Sequence, residues 1–346
     1  MGLCYNGVHM TVVITGATGH IGANLVRALI EKGRPTRCLV HVSTGALAGL
    51  DTELVRGDTC DVESLCHAFR GADVVYHLAA FISLSMSDWP RLEAVNVNGT
   101  RNVIQACLRT GVRRLVHFSS IHALVQEPLS TPVDESRPLT DLKNGPPYDR
   151  SKAASEIEVR HAIEQGLDAV IVNPTGVIGP YDYQPSFLGE AILSMARNSL
   201  PAKVTGGFDW VDVRDVVAGA MSAEAQAPAG ASYLLSGHWV SMCDIAGMVA
   251  EITGVKNNKL TCPLWLARVG APVIQGVSRL SGKRPLYTSV SLRALRSNRH
   301  ISHEKAAREL GYQPRPFRET LADTLRWFAA NGQLEGLPSL SSKEPA

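Results

Sequence analysis

Tyr148 and Lys152 stand four residues apart in the stretch YDRSK, directly after a Pro-Pro turn. One turn of α-helix brings positions i and i+4 onto the same face, so the phenol and the ammonium would point into one space. Such a pair can move a proton, but it can also be a solvated surface pair. A chain with eight tyrosines can match Tyr-x-x-x-Lys by accident, so the rest of the sequence has to decide.

A further chemical group comes from the strand-like stretch RLVHFSS (114–120), which ends in Ser119 and Ser120. Doubly wound sheets gather ligands at the carboxyl ends of their strands, so this serine pair and the YDRSK helix can meet there. For a ketone that accepts hydride, Tyr148 would donate the proton, Ser120 would hydrogen-bond the oxygen, and Lys152 would stabilise the tyrosinate. We expect the ammonium to lower the phenol pKa from about 10. Ser119 is the alternative to Ser120, and paired serines also close strands without a catalytic role.

A glycine-rich turn supplies a place for a cofactor. The stretch MTVVIT (10–15) runs into GATGHIG, whose glycines are Gly16, Gly19 and Gly22, and then into an amphipathic helix. Glycines allow a tight turn and close approach to a pyrophosphate, and the helix N-terminus offers unpaired N–H groups. The position between a first strand and a first helix predicts dinucleotide binding rather than a merely structural turn.

The end of the second predicted strand bears on which dinucleotide binds. NAD binders usually carry an acidic residue there, about 20 residues past the loop, for the adenosine ribose. Here the strand is followed by His41, Ser43 and Thr44, which could donate to a 2′-phosphate. No carboxylate appears before Asp51, and Arg37 within the strand could face either way. NADP is therefore favoured, and NAD remains possible because no arginine closes the strand.

Short apolar runs alternate with helical patterns, which predicts an α/β fold of the Rossmann type, a doubly wound parallel sheet. Helices over 21–33 and 96–111 would end at Gly33 and Gly111. The predicted strands are MTVVIT (10–15), TRCLV (36–40), ELVRG (53–57), DVVYHLA (73–79), RLVHFSS (114–120) and DAVIVNP (168–174).

The alternation changes near residue 175, where Gly, Pro and aromatic residues crowd the sequence. We infer a dinucleotide-binding Rossmann domain over 10–175, to which later segments return, and a smaller, mainly substrate-binding α/β part over 176–334. Residues 1–9 read as a short leader and residues 335–346 as a disordered tail.

The composition favours a compact protein with a small-molecule partner. At 346 residues and 45% hydrophobic, the chain can bury a large core. Its 34 basic and 32 acidic residues, read as scattered along the chain, leave no electrostatic footprint for nucleic acid. Seven cysteines without a C-x-x-C spacing fit thiols in a reducing compartment better than disulfides or zinc, so we expect a cytoplasmic protein without a metal site.

Membrane insertion is not indicated by the sequence. The first ten residues lack the basic and apolar regions of a secretory signal. The nearest candidate for a membrane span, residues 263–280, carries Arg268 and Arg279. We expect an amphipathic helix that covers a pocket there, rather than membrane attachment.

Together the motifs resemble those of the extended short-chain dehydrogenase/reductase family, within the NAD-dependent epimerase/dehydratase superfamily, over about residues 10–330. TGATGHIG is similar to the cofactor loop of that family, FSS to its serine strand and YDRSK to its Tyr-x-x-x-Lys. The dihydroflavonol-reductase-like and 3β-hydroxysteroid-dehydrogenase-like branch is the most similar. Further matches are Gly57-Asp58-Thr59, His77-Leu78-Ala79-Ala80, NVNGT (96–100), NPTGVIGP (173–180) and WVDVRDVV (210–217).

The resemblance implies catalytic roles for Ser120, Tyr148 and Lys152. It also implies a homodimer, paired through the helix that contains 96–110 and the helix that starts near 148, although those helices could merely cover the sheet. The implied cofactor contacts are Gly16, Thr18, Gly19, His20, Ile21, Gly22, His41, Ser43, Asp58, Thr59, Leu78, Ala79, Ala80, Lys152, Pro174 and Val177.

Aromatic and sulfur-containing side chains are frequent in the segments expected around a nicotinamide. They could line an apolar substrate pocket or form local core, because pockets and cores share their composition. His122 could reach the substrate or be a structural residue. The candidates are Phe81, Met86, Trp89, His122, Tyr181, Tyr183, Phe187, Phe208 and Trp210.

Three functions stay open on the sequence. The leading one is an NADP(H)-dependent carbonyl reductase or alcohol dehydrogenase for a moderately apolar substrate. A nucleotide-sugar epimerase or dehydratase would need cations for a diphosphate, and only Arg150 and Lys203 are candidates. A cofactor-sensing binding protein is the third, but such a protein has no need for a proton donor.

Overall fold

The fold is organised around a seven-stranded parallel sheet. The structure, a computed structural model, describes residues 10–200, 202–255, 260–267, 269–270 and 288–334. Strand order in the main sheet is β10-β6-β5-β4-β1-β2-β3, and every neighbouring pair runs parallel. Its strands are β1 (Val12–Thr15), β2 (Thr36–Val40), β3 (Glu53–Arg56), β4 (Val74–His77), β5 (Arg114–Phe118), β6 (Ala169–Pro174) and β10 (Ser232–Leu235).

Helices cover both faces of this sheet, which explains why its central strands are continuous apolar runs. On one face, side chains of α1 and α7 pack against β1, β4, β5 and β6. On the other face, α2, α4 and α5 bury the alternate residues of the same strands. The helices are α1 (His20–Glu31), α2 (Val62–Phe69), α3 (Trp89–Leu92), α4 (Gly99–Thr110), α5 (Pro147–Glu164), α6 (Phe187–Ala196) and α7 (Val213–Gln226).

After residue 175 the chain builds a second, smaller unit and also returns to the main sheet. A three-stranded sheet and a two-stranded pair, with a third hydrophobic cluster, form the smaller unit. β10, in contrast, lies beside β6 at the edge of the main sheet. The remaining elements are β7 (Gly176–Ile178), β8 (Lys203–Val204), β9 (Gly207–Asp212), β11 (His238–Ser241), β12 (Thr261–Cys262), α8 (Met242–Thr253), α9 (residues 264–267 and 269–270), α10 (Ser289–Ala294), α11 (Glu304–Leu310) and α12 (Phe317–Ala330).

The fold class predicted from the sequence is confirmed, and one helix differs in detail. The predicted helix over 96–111 is α4, preceded by a π-helical turn at Glu93–Asn98. Within that turn the Asn96 amide bonds both backbone groups of Phe81 and the hydroxyl of Ser151. Single π turns are frequent at functional sites, and this one lets a helix residue bind two other segments.

The described residues contain no helix that is both long and apolar enough to cross a bilayer. The stretch predicted as an amphipathic helix, 263–280, is helical at 264–267 and 269–270, and its remainder lies outside the described residues. The predicted leader (1–9) and tail (335–346) also lie outside the described residues.

Candidate active site

The helix α5 places Tyr148 and Lys152 on one face at its amino end. Pro146 and Pro147 start the helix, since proline is favoured at the first helical position, where an N–H is not needed. Lys152 is buried, and its ammonium donates to the carbonyl oxygen of Phe118 at 2.8 Å. This bond ties the amino end of α5 to the carboxyl end of β5, the strand that carries the serines.

The two serines after β5 have different partners. The Ser120 hydroxyl lies close enough to the Tyr148 phenol to lower its pKa, and it accepts a hydrogen bond from the backbone N–H of His122 at 3.2 Å. The Ser119 hydroxyl instead donates to a carboxylate oxygen of Glu156 at 2.6 Å. The structure therefore brings Ser120, Tyr148 and Lys152 together and directs Ser119 to the helix behind them.

Burial controls the ionisation of the tyrosine–lysine pair. Burial raises the pKa of Tyr148, the charge of Asp149 raises it further, and the Ser120 hydrogen bond opposes both. The expectation that Lys152 lowers this phenol pKa is not met, because the ammonium is turned to the Phe118 carbonyl. Burial also lowers the pKa of Lys152 from 10.5 to about 8, with Glu156 acting in the opposite direction.

The lowered lysine pKa predicts a stability difference that depends on pH. Because the folded-state pKa lies below the unfolded one, the unfolded chain binds more protons between about pH 8 and 10.5, so wild-type stability rises in that window. We expect Lys152→Met to gain stability relative to wild type, by about 3 kcal/mol more at pH 7 than at pH 10.5. Urea unfolding of both proteins at several pH values measures this, and a difference that does not change with pH would contradict it.

A buried carboxylate that the sequence reading missed lies behind the lysine. Glu156 is fully buried one turn after Lys152 and accepts hydrogen bonds from Ser119, Asn173 and Arg160. Its oxygens thus join β5, β6 and α5 beneath the reacting groups. The sequence could have indicated this residue, because Glu156 follows Lys152 by four residues and therefore lies on the same helix face.

His122, predicted as a possible substrate contact, lies beside the tyrosine. Its ring meets the Tyr148 ring edge-on, with 5.8 Å between centroids. Its Nδ1 lies 3.2 Å from a carboxylate oxygen of Asp149, the second residue of YDRSK. Burial lowers the pKa of His122, but Asp149 outweighs burial, so the pKa is raised.

The β1–α1 turn has the shape that a pyrophosphate requires. Gly16 has φ +72°, and a Cβ there would lie 2.6 Å from the backbone nitrogen of Ala79. A Cβ on Gly22 would lie 2.2 Å from the carbonyl oxygen of Gly16, so both glycines are needed for close packing. Gly19 is exposed, and a Cβ there would meet no protein atom closer than 3.4 Å. Other parts of the protein do not fill the space beside Gly19, so that space is available to a ligand.

The first turn of α1 adds donors to this cradle. Gly19 is the N-cap and provides no side-chain oxygen, so the first N–H groups stay available to an anion. The turn lies between β1 and β4, where strand order reverses and dinucleotides bind in such sheets. Thr18 and Ile21 are half-buried in this turn, while the His20 ring pairs with the Pro180 carbonyl at 3.0 Å.

The residues predicted to contact the adenosine lie in the loops after β2 and β3. His41 and Ser43 are exposed, and the His41 ring lies 3.6 Å from a carboxylate oxygen of Asp58. Arg37 faces the other way, because its guanidinium binds Glu53 and the carbonyls of Ala68 and Arg70. The sequence alone did not decide which way the Arg37 side chain faces. Thr59 is buried next to Gly99.

Arg56 is a cation that the sequence reading did not consider at this end. It is exposed, and it lies beside Val40 in the β2–β3 register. Strand register places the two side chains on one face, at the strand ends where the adenosine would lie. That Arg56 lies beside the end of β2 follows only from the pairing of β2 with β3.

The remaining cofactor candidates lie along the same edge of the sheet. The N–H groups of Leu78 and Ala79 donate to the backbone and side-chain oxygens of Thr15 at 3.1 and 3.3 Å. Ala80 follows them, half-buried. Pro174 ends β6 and Val177 lies in β7, directly after the strand that neighbours β5.

Most of the predicted substrate aromatics are not gathered at Tyr148. Trp210 is buried in the third cluster, where its indole N–H donates to the Val240 carbonyl. Tyr181 and Tyr183 pack against Trp327 and beside the Arg27 guanidinium. These rings join α1 to α12 and stabilise the smaller unit.

The other candidates have separate positions. Arg91 lies over the Phe81 ring at 4.1 Å, and Arg150 lies over the Trp89 ring at 4.0 Å. Met86 is exposed. Phe187 begins α6, and Phe208 packs edge-on against Trp210.

Comparison with known proteins agrees with this architecture. Residues 12–235 match the model of the NAD dependent epimerase/dehydratase family. Sterol demethylase protein B of Methylococcus capsulatus is 37% identical over 94% of this chain and 100% of its own length. A putative dihydroflavonol 4-reductase of Synechocystis is 35% identical over 93% of this chain and 95% of its own.

A solved structure extends the likeness to three dimensions. The structure of gox2253 superimposes with a TM-score of 0.82, at 34% identity over 95% of this chain and 100% of that one. The matched region includes the phosphate cradle, the serine strand and the Tyr148–Lys152 helix. The chain is an NAD(P)-dependent enzyme that belongs to the NAD-dependent epimerase/dehydratase family of extended short-chain dehydrogenases/reductases.

Proposed function

We propose that the protein is an NADP(H)-dependent oxidoreductase that interconverts a moderately apolar ketone or aldehyde and the corresponding alcohol. The observation that carries this proposal is the meeting of Ser120, Tyr148 and Lys152 at the carboxyl end of β5. These groups face the same sheet edge as the phosphate cradle. A hydroxyl, a phenol and an ammonium at that edge suit a carbonyl that gains or loses hydride.

Each residue of the site has one task in this mechanism. The bound nicotinamide supplies or accepts the hydride. Ser120 orients the carbonyl oxygen by a hydrogen bond, and Tyr148 donates its phenolic proton to that oxygen as negative charge develops. Lys152 would stabilise the tyrosinate once its ammonium turns from the Phe118 carbonyl, to which it donates in this structure, and the charge of Glu156 favours the protonated lysine. In alcohol oxidation the same proton moves back to Tyr148.

The preference for NADP rests on the adenosine end. His41 and Ser43 offer donors to a 2′-phosphate, and Arg56 adds an exposed cation beside the strand end. We expect NADPH to bind at least about tenfold more tightly than NADH, as one charge-assisted contact is worth about 1.5–3 kcal/mol. Arg56→Ala should weaken NADPH binding and leave NADH binding unchanged. Fluorescence titration measures both, and equal affinities in wild type would favour NAD.

An apolar substrate is the better fit to the described surroundings of Tyr148. Arg150, a candidate cation for a diphosphate, is stacked on Trp89, and Lys203 lies in β8 of the smaller unit. The name of the Methylococcus relative refers to a sterol, and that of the Synechocystis relative to a dihydroflavonol. Both names point to ring systems with little charge. We therefore place the substrate among apolar cyclic ketones and alcohols.

The proposal also assigns roles to the two parts of the chain, an oligomeric state and a cellular location. Residues 10–175 with β10 would bind the cofactor, and most of 176–334 would bind substrate. We propose a homodimer through α4 and α5, where Arg101 and Glu158 already join the two helices on the surface. We also propose that the enzyme acts in the cytoplasm, where it would bind NADPH, the reduced form of the cofactor.

The test is turnover with purified protein. Oxidation of NADPH and NADH is followed with a panel of steroid and aromatic ketones, and a nucleotide sugar is included. Ketone-dependent oxidation of NADPH supports the proposal. Tight NADH binding with conversion of the nucleotide sugar and no ketone turnover would overturn it in favour of an epimerase or dehydratase.

The two serines give a matched pair of variants. We expect Ser120→Ala to lower kcat about 10²-fold with little change in unfolding, because it removes a hydrogen bond to the reacting oxygen. Ser119→Ala should instead cost about 1–3 kcal/mol of stability and leave kcat within a few-fold, because it removes a partner of the buried Glu156. Steady-state kinetics and thermal unfolding separate the two effects. A larger kcat loss in Ser119→Ala would assign the catalytic role to Ser119.

A further inference from the structure

The short helix α9 turns an apolar surface outward. Ala267 is buried against Val204, Leu292 and Leu295, so it holds the inner side of the helix. Three large apolar residues of the helix are exposed, and a fourth, Leu260, lies just before β12; we treat these four, all within ten residues of the chain, as one patch. The exposed fractions are 61% for Leu260, 69% for Trp265, 47% for Leu266 and 71% for Val269.

Local contacts fix the direction of this patch, which we call the Trp265 patch. β12, directly before the helix, pairs with β8, and the N–H of Leu264 donates to the Thr205 hydroxyl at 3.1 Å. The helix is thus held on the smaller unit by strand pairing, a side-chain bond and a buried alanine. Exposed apolar patches of this kind mark interaction sites more often than chance.

The sequence around the patch is strongly and uniformly basic. Between residues 255 and 303 there are nine Lys and Arg and no Asp or Glu, in a chain whose net charge is only +2. The earlier expectation of evenly scattered charge is therefore wrong for this region. Among these residues Arg293, Arg296 and Arg299 are described and exposed.

Part of this positive charge lies next to α9. Leu264 shares a cleft of about 390 Å³ with Arg296, Arg299 and His300, and no carboxylate lines it. Asn298 anchors this arginine loop, because its buried amide donates to the carbonyls of Gln126 and Thr131. Among the described residues, Arg296 and Arg299 have no carboxylate partner, so apolar side chains and cations lie side by side on this surface.

We propose that the Trp265 patch docks the enzyme on the surface of a membrane that contains anionic lipids. Trp, Leu and Val side chains suit the boundary between headgroups and acyl chains, and flanking arginines suit acidic headgroups. Such a helix lies on the bilayer and does not span it, and this proposal replaces the expectation from the sequence that the stretch covers a pocket, because Trp265, Leu266 and Val269 are exposed. A second copy of the chain is a poor occupant, because a symmetric interface would place the same cations against each other. Nucleic acid would use the charge but not the four apolar side chains.

The experiment is binding of the full chain to vesicles, independent of turnover. Vesicles of phosphatidylcholine alone and with about 30 mol% phosphatidylglycerol provide the neutral and anionic surfaces. Sedimentation gives the bound fraction, and acrylamide quenching of Trp fluorescence, wild type against Trp265→Phe, follows Trp265 itself. We expect binding to the anionic vesicles, protection of Trp265 from quenching on binding, and loss of binding at about 0.5 M salt.

Variants separate the patch from the rest of the surface. The double variant Trp265→Ser/Leu266→Ser should weaken binding at least about tenfold, because it removes the apolar contact. The control Leu54→Ser/Leu142→Ser changes two exposed leucines that lie outside the patch and outside α4 and α5, and it should bind as wild type. Arg296→Gln and Arg299→Gln should each weaken binding to anionic vesicles about fivefold.

Three results would overturn the proposal. The first is a lack of binding to anionic vesicles at low salt, and the second is binding that the double variant leaves intact. The third is self-association of the wild type, seen by sedimentation, that the double variant abolishes, since the patch would then belong to a second copy. Thermal unfolding confirms that each variant is folded, as expected for exposed positions.

Discussion

Tyr148→Phe is expected to lower kcat about 10³-fold or more while the protein still folds and binds cofactor. The phenol is the proposed proton donor, and general acid catalysis contributes about 10²–10⁴-fold. Phenylalanine keeps the ring beside His122 and removes only the hydroxyl that meets Ser120. Steady-state turnover with the best ketone of the panel gives kcat, and fluorescence titration gives the NADPH affinity.

Tyr183→Phe is the matched control for this variant. Its hydroxyl also has a side-chain partner, since it accepts from Arg27 at 2.8 Å, but it lies away from Ser120. We expect kcat within a few-fold of wild type. If Tyr148→Phe kept wild-type turnover, the proton donor would be another group, and the proposed mechanism would fail even with cofactor binding intact.

The second large effect is expected at the phosphate cradle. Substitution of Gly16 and of Gly19 by alanine should change different properties of the protein. Gly16→Ala puts a Cβ 2.6 Å from the Ala79 nitrogen at a φ of +72°. A left-handed non-glycine residue alone costs about 1–3 kcal/mol, so the turn must distort and both stability and cofactor binding should fall. Gly19→Ala has an extended backbone and open space, so stability should change by no more than about 0.5 kcal/mol.

Cofactor affinity is the quantity that Gly19→Ala should change. The added methyl takes the space through which the backbone approaches a pyrophosphate, and we expect at least about a tenfold weaker Kd for NADPH. Thermal unfolding and fluorescence titration measure the two properties separately. Gly33→Ala is a control, because Gly33 also has φ +66° but lies at the far end of α1, so it should lose stability without loss of affinity in the folded protein. An unchanged Kd in Gly19→Ala would place the pyrophosphate elsewhere.

Local patterns were sufficient to predict the main sheet and that Tyr148 and Lys152 share one helix face near the end of β5. Strand β1, its glycine turn and α1 are adjacent in the chain, and Tyr148 and Lys152 share one helical turn. Each of these features is encoded within about ten residues, where periodicity and turn chemistry are informative. The choice of Ser120 over Ser119 followed from the alternation of side chains along a strand, and it stays a prediction; in the structure the Ser119 hydroxyl donates to Glu156.

Features that depend on distant segments were beyond the sequence. Whether Arg37 faces the cofactor is decided by Glu53 and by two carbonyls near the end of α2. The direction of the Lys152 ammonium is decided by the Phe118 carbonyl, and the phenol pKa is raised mainly by burial within the folded protein. The aromatic residues were the least informative about position in the fold. Trp210 is buried in the core and Trp265 is exposed on the surface, but the sequence around each does not distinguish the two environments.

The position of β10 constrains how this enzyme could be recombined with its relatives. The chain builds β9 of the smaller unit, returns to the edge of the main sheet as β10, and then leaves again to form β11, which pairs with β9. A chimera joined once near residue 175 would combine a main sheet from one parent with an edge strand from the other. Exchange of the smaller unit therefore requires at least two crossovers, one on each side of β10, and residues 232–235 must travel with the main sheet.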